Sequence, residues 1–132
     1  MLKTIVAFIC VHNSCRSQIA EALGNLYLKD NFVCYSAETD LKHINQDAVR
    51  LVKELYGIDM ENNGQKSKLI SSIPNPDLAI SMGCGVTCHF IGRAFDDNWN
   101  LEDPTGKGDD VFIRVIKEIE NKVLKLKDSY HP

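Results

Sequence analysis

From Thr4 to Ile9 the chain runs TIVAFI, apolar at strand length with no polar alternation. A strand with one wet face alternates, so a continuous run of this kind predicts a strand buried on both faces, as in a parallel sheet covered by helices. Helical spacing follows at once. Ser17–Leu28 carries Ile19, Ala22, Leu23, Leu26 and Tyr27 on one stripe. Phe32–Ser36 reads as a second strand, and Gln46–Leu55 as a helix with Ala48, Val49, Val52 and Leu55 on one side, ended by Gly57. A short helix around Ser67–Ser72 precedes a third strand at Leu78–Met82. Arg93–Phe95 is the candidate fourth strand, and Asp109–Lys127 a long amphipathic helix with Val111, Val115, Ile119, Leu124 and Leu126 among its apolar positions and acidic residues at its start. Strands alternating with helices predict an α/β fold, a parallel sheet in three α/β/α layers. Ligands in such folds bind at the carboxyl ends of the strands.

The chain has 132 residues, enough to bury a sizeable core as one domain spanning 1–132, and shows no repeat, linker or low-complexity segment. A formal net charge of −3 gives no basic field for nucleic acid or an anionic membrane. No stretch approaches the roughly 18 apolar residues of a spanning helix. MLKTIVAFIC lacks the small-residue cleavage site of an export signal, so the expected location is the cytoplasm. Five cysteines, an odd number, argue against a disulfide scaffold and for catalysis, redox exchange or metal.

The turn after the first strand reads Cys10-Val11-His12-Asn13-Ser14-Cys15-Arg16-Ser17. A loop entering a helix aims its backbone N–H groups at one point, forming a nest for a tetrahedral oxyanion. Arg16 adds a planar fork that grips two oxygens. Cys10 shares that positive field, which lowers a thiol from about 8.5 to roughly 3.5–7.5 and makes a thiolate poised for attack. The same residues could also serve only as a structural turn. Their position between a buried strand and a helix favours the nucleophile.

The motif C-x5-R-S after the first strand resembles the low-molecular-weight protein tyrosine phosphatase fold. The longer run CVHNSCRSQIAEA, with YSAE, INQDAV and EDP downstream, is similar to the arsenate reductase branch of that fold, over about Lys3–Lys127. The resemblance implies a four-stranded parallel sheet and Cys10 as nucleophile toward arsenate, with phosphate or sulfate as mimics. Proline fixes the backbone beside Asp103 in NWNLEDPTG, so its carboxyl can be held in one direction to protonate a leaving oxygen, and the resemblance places the general acid there. No cofactor or metal is implied.

SMGCGVTCHF bears on the choice between hydrolysis and reduction. A phosphatase needs no further thiol, whereas a reductase must supply two electrons, and Cys84 and Cys88 sit in one loop flanked by Gly83 and Gly85. By resemblance, Cys84 attacks Cys10 and Cys88 then attacks Cys84, with a thioredoxin-like protein or a small thiol as the external reductant. Thioredoxin-coupled relatives separate this pair by six residues and follow it with proline; here the gap is three and His89 follows. Zinc binding by Cys84, Cys88 and His89, or plain burial, are the alternatives. A phosphatase acting on phosphotyrosine or small phosphoesters is the competing activity, although DPTG lacks the aromatic pair such enzymes often carry after Asp-Pro.

Other residues are expected to do less. Cys15 fills the loop or forms a protective disulfide with Cys10, and Cys34 is core. His12 is a loop residue, and Asn13 and Ser17 pin the loop and support the thiolate. Trp99 is either a packing anchor or a shield for the acid loop. Some relatives hold a monovalent cation beside this loop, using positions that match Asn13, Glu21 and Ser36. Lys68 stands where they place a further acidic residue, which implies an ammonium in the ion's place and no required potassium. Glu38 departs from the usual glycine after Ser-Ala.

Overall fold

The computed structural model describes residues 3–10, 15–38, 43–83 and 94–129. Among them β1 (Thr4–Cys10), β2 (Phe32–Glu38), β3 (Leu78–Ser81) and β4 (Asp97–Asn98) form one sheet in the order β2-β1-β3-β4. All three pairings are parallel. The helices are α1 (Arg16–Tyr27), α2 (Gln46–Tyr56) and α3 (Asp109–Ser129), with a short 3₁₀ turn at Ile70–Ser72. This is the predicted four-stranded, all-parallel α/β arrangement.

β1 is apolar throughout because it lies between β2 and β3 and is buried on both faces. Val6, Phe8 and Cys10 face α1 and α3, where Ile19, Leu23, Phe112, Ile116 and Ile119 complete the main core. Ala7, Ile9 and Ala37 face the other way, under Ile70, Ile73 and Phe95. Gly24 lets α1 approach the sheet, since a Cβ there would stand 2.7 Å from Cys34 Sγ. Asn45 caps α2 by accepting from Asp47 N at 2.9 Å and Ala48 N at 3.1 Å, and Gly57 ends it at φ +72°.

Four expectations are corrected. The fourth strand is Asp97–Asn98 and not Arg93–Phe95. Ala94 and Phe95 are in no strand, and Arg93 lies outside the described residues. Phe95 instead covers the second core, while Asp96 N donates to Ala79 O and Asp96 Oδ2 accepts from Ala79 N, both at 2.8 Å, which starts the pairing two residues late. The helix around Ser67–Ser72 shrinks to the 3₁₀ turn because Leu69 pairs as a bridge with Glu38. In α3 the buried stripe is Phe112, Val115, Ile116, Ile119 and Val123, so Val111 and Leu124 flank it rather than lead it. Leu26 and Leu55, assigned to buried stripes, are exposed instead.

Candidate active site

The site lies at the carboxyl end of the sheet. β1 delivers Cys10, 1% exposed, and α1 begins five residues later with Cys15, fully buried, in the capping position. Val11, His12, Asn13 and Ser14 lie outside the described residues, so the structure supplies the two ends of the expected nest. Burial, the charge of Asp103 and the neighbouring Cys10 push the Cys15 thiol far up, against the pull of Arg16. Cys15 is therefore a protonated thiol and no competitor of Cys10 as nucleophile. Cys34, in the core beside α1, is pushed up to about 12 by burial and by Glu21.

Arg16 opens α1 and does two jobs. Its Nη1 donates to Leu101 O at 2.7 Å and Met82 O at 3.2 Å, which fixes the guanidinium plane. Its Nε is buried with no acceptor among the described residues. A buried charged donor without an acceptor is costly, and an oxyanion oxygen satisfies it. Ser17 is fully buried, and its Oγ is likewise without a partner among the described residues. Both groups sit in the first turn of α1, where the helix's own N–H groups favour a negative ligand.

The two carbonyls that hold Arg16 begin the other two predicted site segments. Met82 follows β3 and donates its N–H to Ile9 O at 3.1 Å; Leu101 N donates to Met82 O at 3.0 Å. Gly83, at φ +118°, lies so close that a Cβ would meet Leu101 N and O at 2.8 Å. Cys84, Cys88, Gly85 and His89 lie outside the described residues, but the point where their segment leaves the sheet is thus fixed beside Arg16. Asp103 follows Leu101 by two residues, with Pro104 buried behind it. Its Oδ1 accepts from Thr105 N at 3.1 Å and Thr105 Oγ1 at 2.8 Å. Glu102 turns outward to Arg114 at 2.7 Å and Lys107 at 2.9 Å, hydrogen bonds that hold its carboxyl below the usual range and tie the loop to α3. Trp99 is 6% exposed and packs against Phe8 with the rings tilted by 46° and their centroids 5.2 Å apart, so of its two expected roles packing is the one observed.

The far side of α1 is held by residues 65–69. Gln65 Nε2 donates to Gln18 O at 2.6 Å and to Gln18 Oε1 at 2.8 Å, and Gln18 Nε2 donates to Lys66 O at 3.0 Å. Glu21 Oε1 accepts from Ser36 N at 2.7 Å, Ser36 Oγ at 2.9 Å and Lys68 Nζ at 3.1 Å. The Lys68 ammonium thus stands against the carboxylate that the resemblance assigned to a cation. Sequence reasoning missed the roles of Gln18, Gln65, Ser67 and the two carbonyls. Backbone acceptors leave no side-chain signal, and Gly83 was the only pointer to that close approach.

The profile of the family described as Low molecular weight phosphotyrosine protein phosphatase matches residues 5–130. An arsenate reductase of Bacillus cereus (strain 03BB102) is 32% identical over 132 residues, covering 96% of each chain. Among solved structures, an arsenate reductase in a phosphate-binding state superposes with a TM-score of 0.80 at 30% identity, over 93% of this chain and 95% of that one. A thioredoxin-dependent arsenate reductase of Corynebacterium glutamicum gives 0.70 at 29% identity, over 96% of this chain and 61% of the other.

Proposed function

The chain belongs to the low molecular weight phosphotyrosine protein phosphatase family, and we propose that within it the protein is an arsenate reductase, converting arsenate to arsenite through a nucleophilic cysteine and a disulfide relay. The observation that carries this reading is the double anchorage of Arg16. One guanidinium gathers the helix start beside Cys10, the strand end leading to Cys84 and the stem of the Asp103 loop.

Arsenate enters with its oxygens on the loop amides and on Arg16 Nε. The Cys10 thiolate attacks arsenic in line, and Asp103 protonates the departing oxygen, which leaves as water. Arsenic is then joined to sulfur and still in its oxidised state. The Cys84 thiolate attacks Cys10 Sγ, the Cys10–arsenic bond breaks with its electron pair remaining on arsenic, and arsenite leaves. The Cys88 thiolate attacks Cys84 Sγ, forming a Cys84–Cys88 disulfide and returning Cys10 as a thiolate. A thioredoxin-like dithiol reduces that disulfide. Cys15, held protonated, stays out of the exchange. This chemistry suits a reducing compartment, so we assign the protein to the cytoplasm. No helix among the described residues is long and apolar enough to cross a membrane.

The shared first step leaves room for slow hydrolysis of phosphoesters, since water can attack a phosphorylated Cys10. The test is arsenate-dependent NADPH oxidation with thioredoxin and thioredoxin reductase, run beside phosphoester hydrolysis by the same preparation. Arsenite formation that requires Cys10, Cys84 and Cys88, with slow hydrolysis requiring only Cys10, is expected. Fast phosphoester turnover with no arsenite overturns the reading in favour of a phosphatase.

A further inference from the structure

Glu102 stands between two fixed points of the Asp103 loop. On one side Leu101 is buried, its O accepting from Arg16 Nη1 at 2.7 Å and its N donating to Met82 O at 3.0 Å. On the other, Pro104 is buried and its O accepts from Lys107 N at 3.0 Å, which closes a turn. Only Glu102 and Asp103 lie between. With both ends held and the peptide units planar, whatever fixes the Glu102 side chain also limits the backbone rotations that aim Asp103.

Both carboxylate oxygens of Glu102 are engaged. Oε1 accepts from Arg114 Nη2 at 2.7 Å and Oε2 from Lys107 Nζ at 2.9 Å, which sets the plane of the group. Arg114 Nη1 donates in turn to Glu118 Oε1 at 3.4 Å. An isolated surface ion pair contributes little, but a network of short contacts holds its members in place. Its base is rigid. Arg114 is flanked on α3 by Phe112, Val115 and Ile116, all buried in the main core. Arg50 of α2 donates to Asp109 at 2.7 and 3.2 Å and steadies the start of the same helix.

We propose that Glu102 and Arg114 are positioning residues: through their ion pair α3 holds the 101–104 segment so that the Asp103 carboxyl meets the leaving oxygen. The transfer itself is the one already described, a proton passing from Asp103 to that oxygen as its bond to arsenic or phosphorus breaks. The inference rests on Asp103 being the general acid, and it adds the element that aims it. A carboxyl displaced by a fraction of an ångström keeps its acidity and loses its efficiency in transfer.

Leaving groups that need protonation to different degrees read this directly. Para-nitrophenolate departs with little help, phenolate with more, and the hydroxide of arsenate with most. In Glu102→Ala, kcat/KM for phenyl phosphate and the rate of arsenite formation at low arsenate should both fall by about fivefold. In Arg114→Met, where Lys107 still holds Glu102, the same two rates should fall by about threefold. Cleavage of para-nitrophenyl phosphate and phosphate affinity by calorimetry should change little in either variant. General damage to the fold moves all four measurements together. The double variant should be no slower than Glu102→Ala, and Arg114→Lys should recover most of the rate. Unchanged arsenite formation in either single variant, equal losses with the two phosphoesters, or a double variant slower than Glu102→Ala overturns the proposal. Asp103→Asn is the reference. If its losses are also independent of the leaving group, the reading of Asp103 as the acid fails instead, so the two failures are distinguishable.

Discussion

Replacing Arg16 by lysine keeps the positive charge and removes the fork, which separates the geometry of the site from its field. In the structure one nitrogen of the fork holds Leu101 O and Met82 O while Nε is buried with no acceptor among the described residues. A lysine has one nitrogen and must choose between anchoring the two loops and meeting the oxyanion. Hydrogen bonds involving a charged partner are worth about 1.5–3 kcal/mol each. Losing one anchor and one oxyanion contact, at the low end because the Coulombic attraction survives, costs about 3 kcal/mol. At 1.36 kcal/mol per decade that is about a hundredfold. Phosphate affinity by calorimetry and arsenite formation in a single turnover both report it, and each is expected to fall by about two decades in Arg16→Lys. A variant within fivefold of wild type in both assays refutes the assignment of the planar fork and leaves only charge.

Three further outcomes follow from other parts of the same framework. Gly83→Ala sets a Cβ 2.8 Å from the Leu101 backbone at φ +118°, so it should lose about 2 kcal/mol of stability by urea denaturation and bind phosphate more weakly; a neutral effect on both contradicts the close approach. Lys68→Met removes the ammonium from a Glu21 carboxylate whose side chain is only 10% exposed, which should cost about 2 kcal/mol, with potassium restoring part of the Tm in the variant and leaving wild type unmoved. A clear potassium-dependent rise in wild-type Tm contradicts this. Burial raises the Cys34 thiol to about 12, so the unfolded chain loses that proton near pH 8.5 while the folded chain keeps it; stability is intact below that pH and falls as pH rises toward 12, by about 1.4 kcal/mol per unit. The alkaline slope of denaturant unfolding should shrink in Cys34→Ala, and an unchanged slope argues against a buried, protonated thiol.

The parts of this fold that were legible in the sequence are those where one physical cause dominates. β1 announces itself because a strand buried on both faces has no polar position to spare. α2 is legible in the stripe of Ala48 and Val52 and in Gly57, which ends it, whereas the Asn45 cap at its start emerges only in the structure. β4 was misplaced because Asp97–Asn98 carries no apolar signal; its pairing is specified by backbone bonds from neighbours on β3. The stripe of α3 was shifted because apolar residues on a long helix outnumber those the sheet can cover. At the site, Cys10 and Arg16 were named from chemistry and spacing and Asp103 from the family resemblance, and the structure adds what spacing cannot encode: the carbonyls that aim Arg16 and the neighbour that register gives Cys10. Glu38 was visible in the sequence only as a departure from an expected glycine, and its full burial at the end of β2 emerges only in the structure.

The central claim is that Cys10, Cys84 and Cys88 pass two electrons to one arsenate. Reduced protein mixed with excess arsenate and no external reductant tests it most directly, with arsenite counted and disulfides mapped by mass spectrometry. One arsenite per chain and a Cys84–Cys88 bond are expected, with Cys84→Ser unable to complete the turnover. No arsenite and no new disulfide, or a full turnover by Cys84→Ser, contradicts the relay.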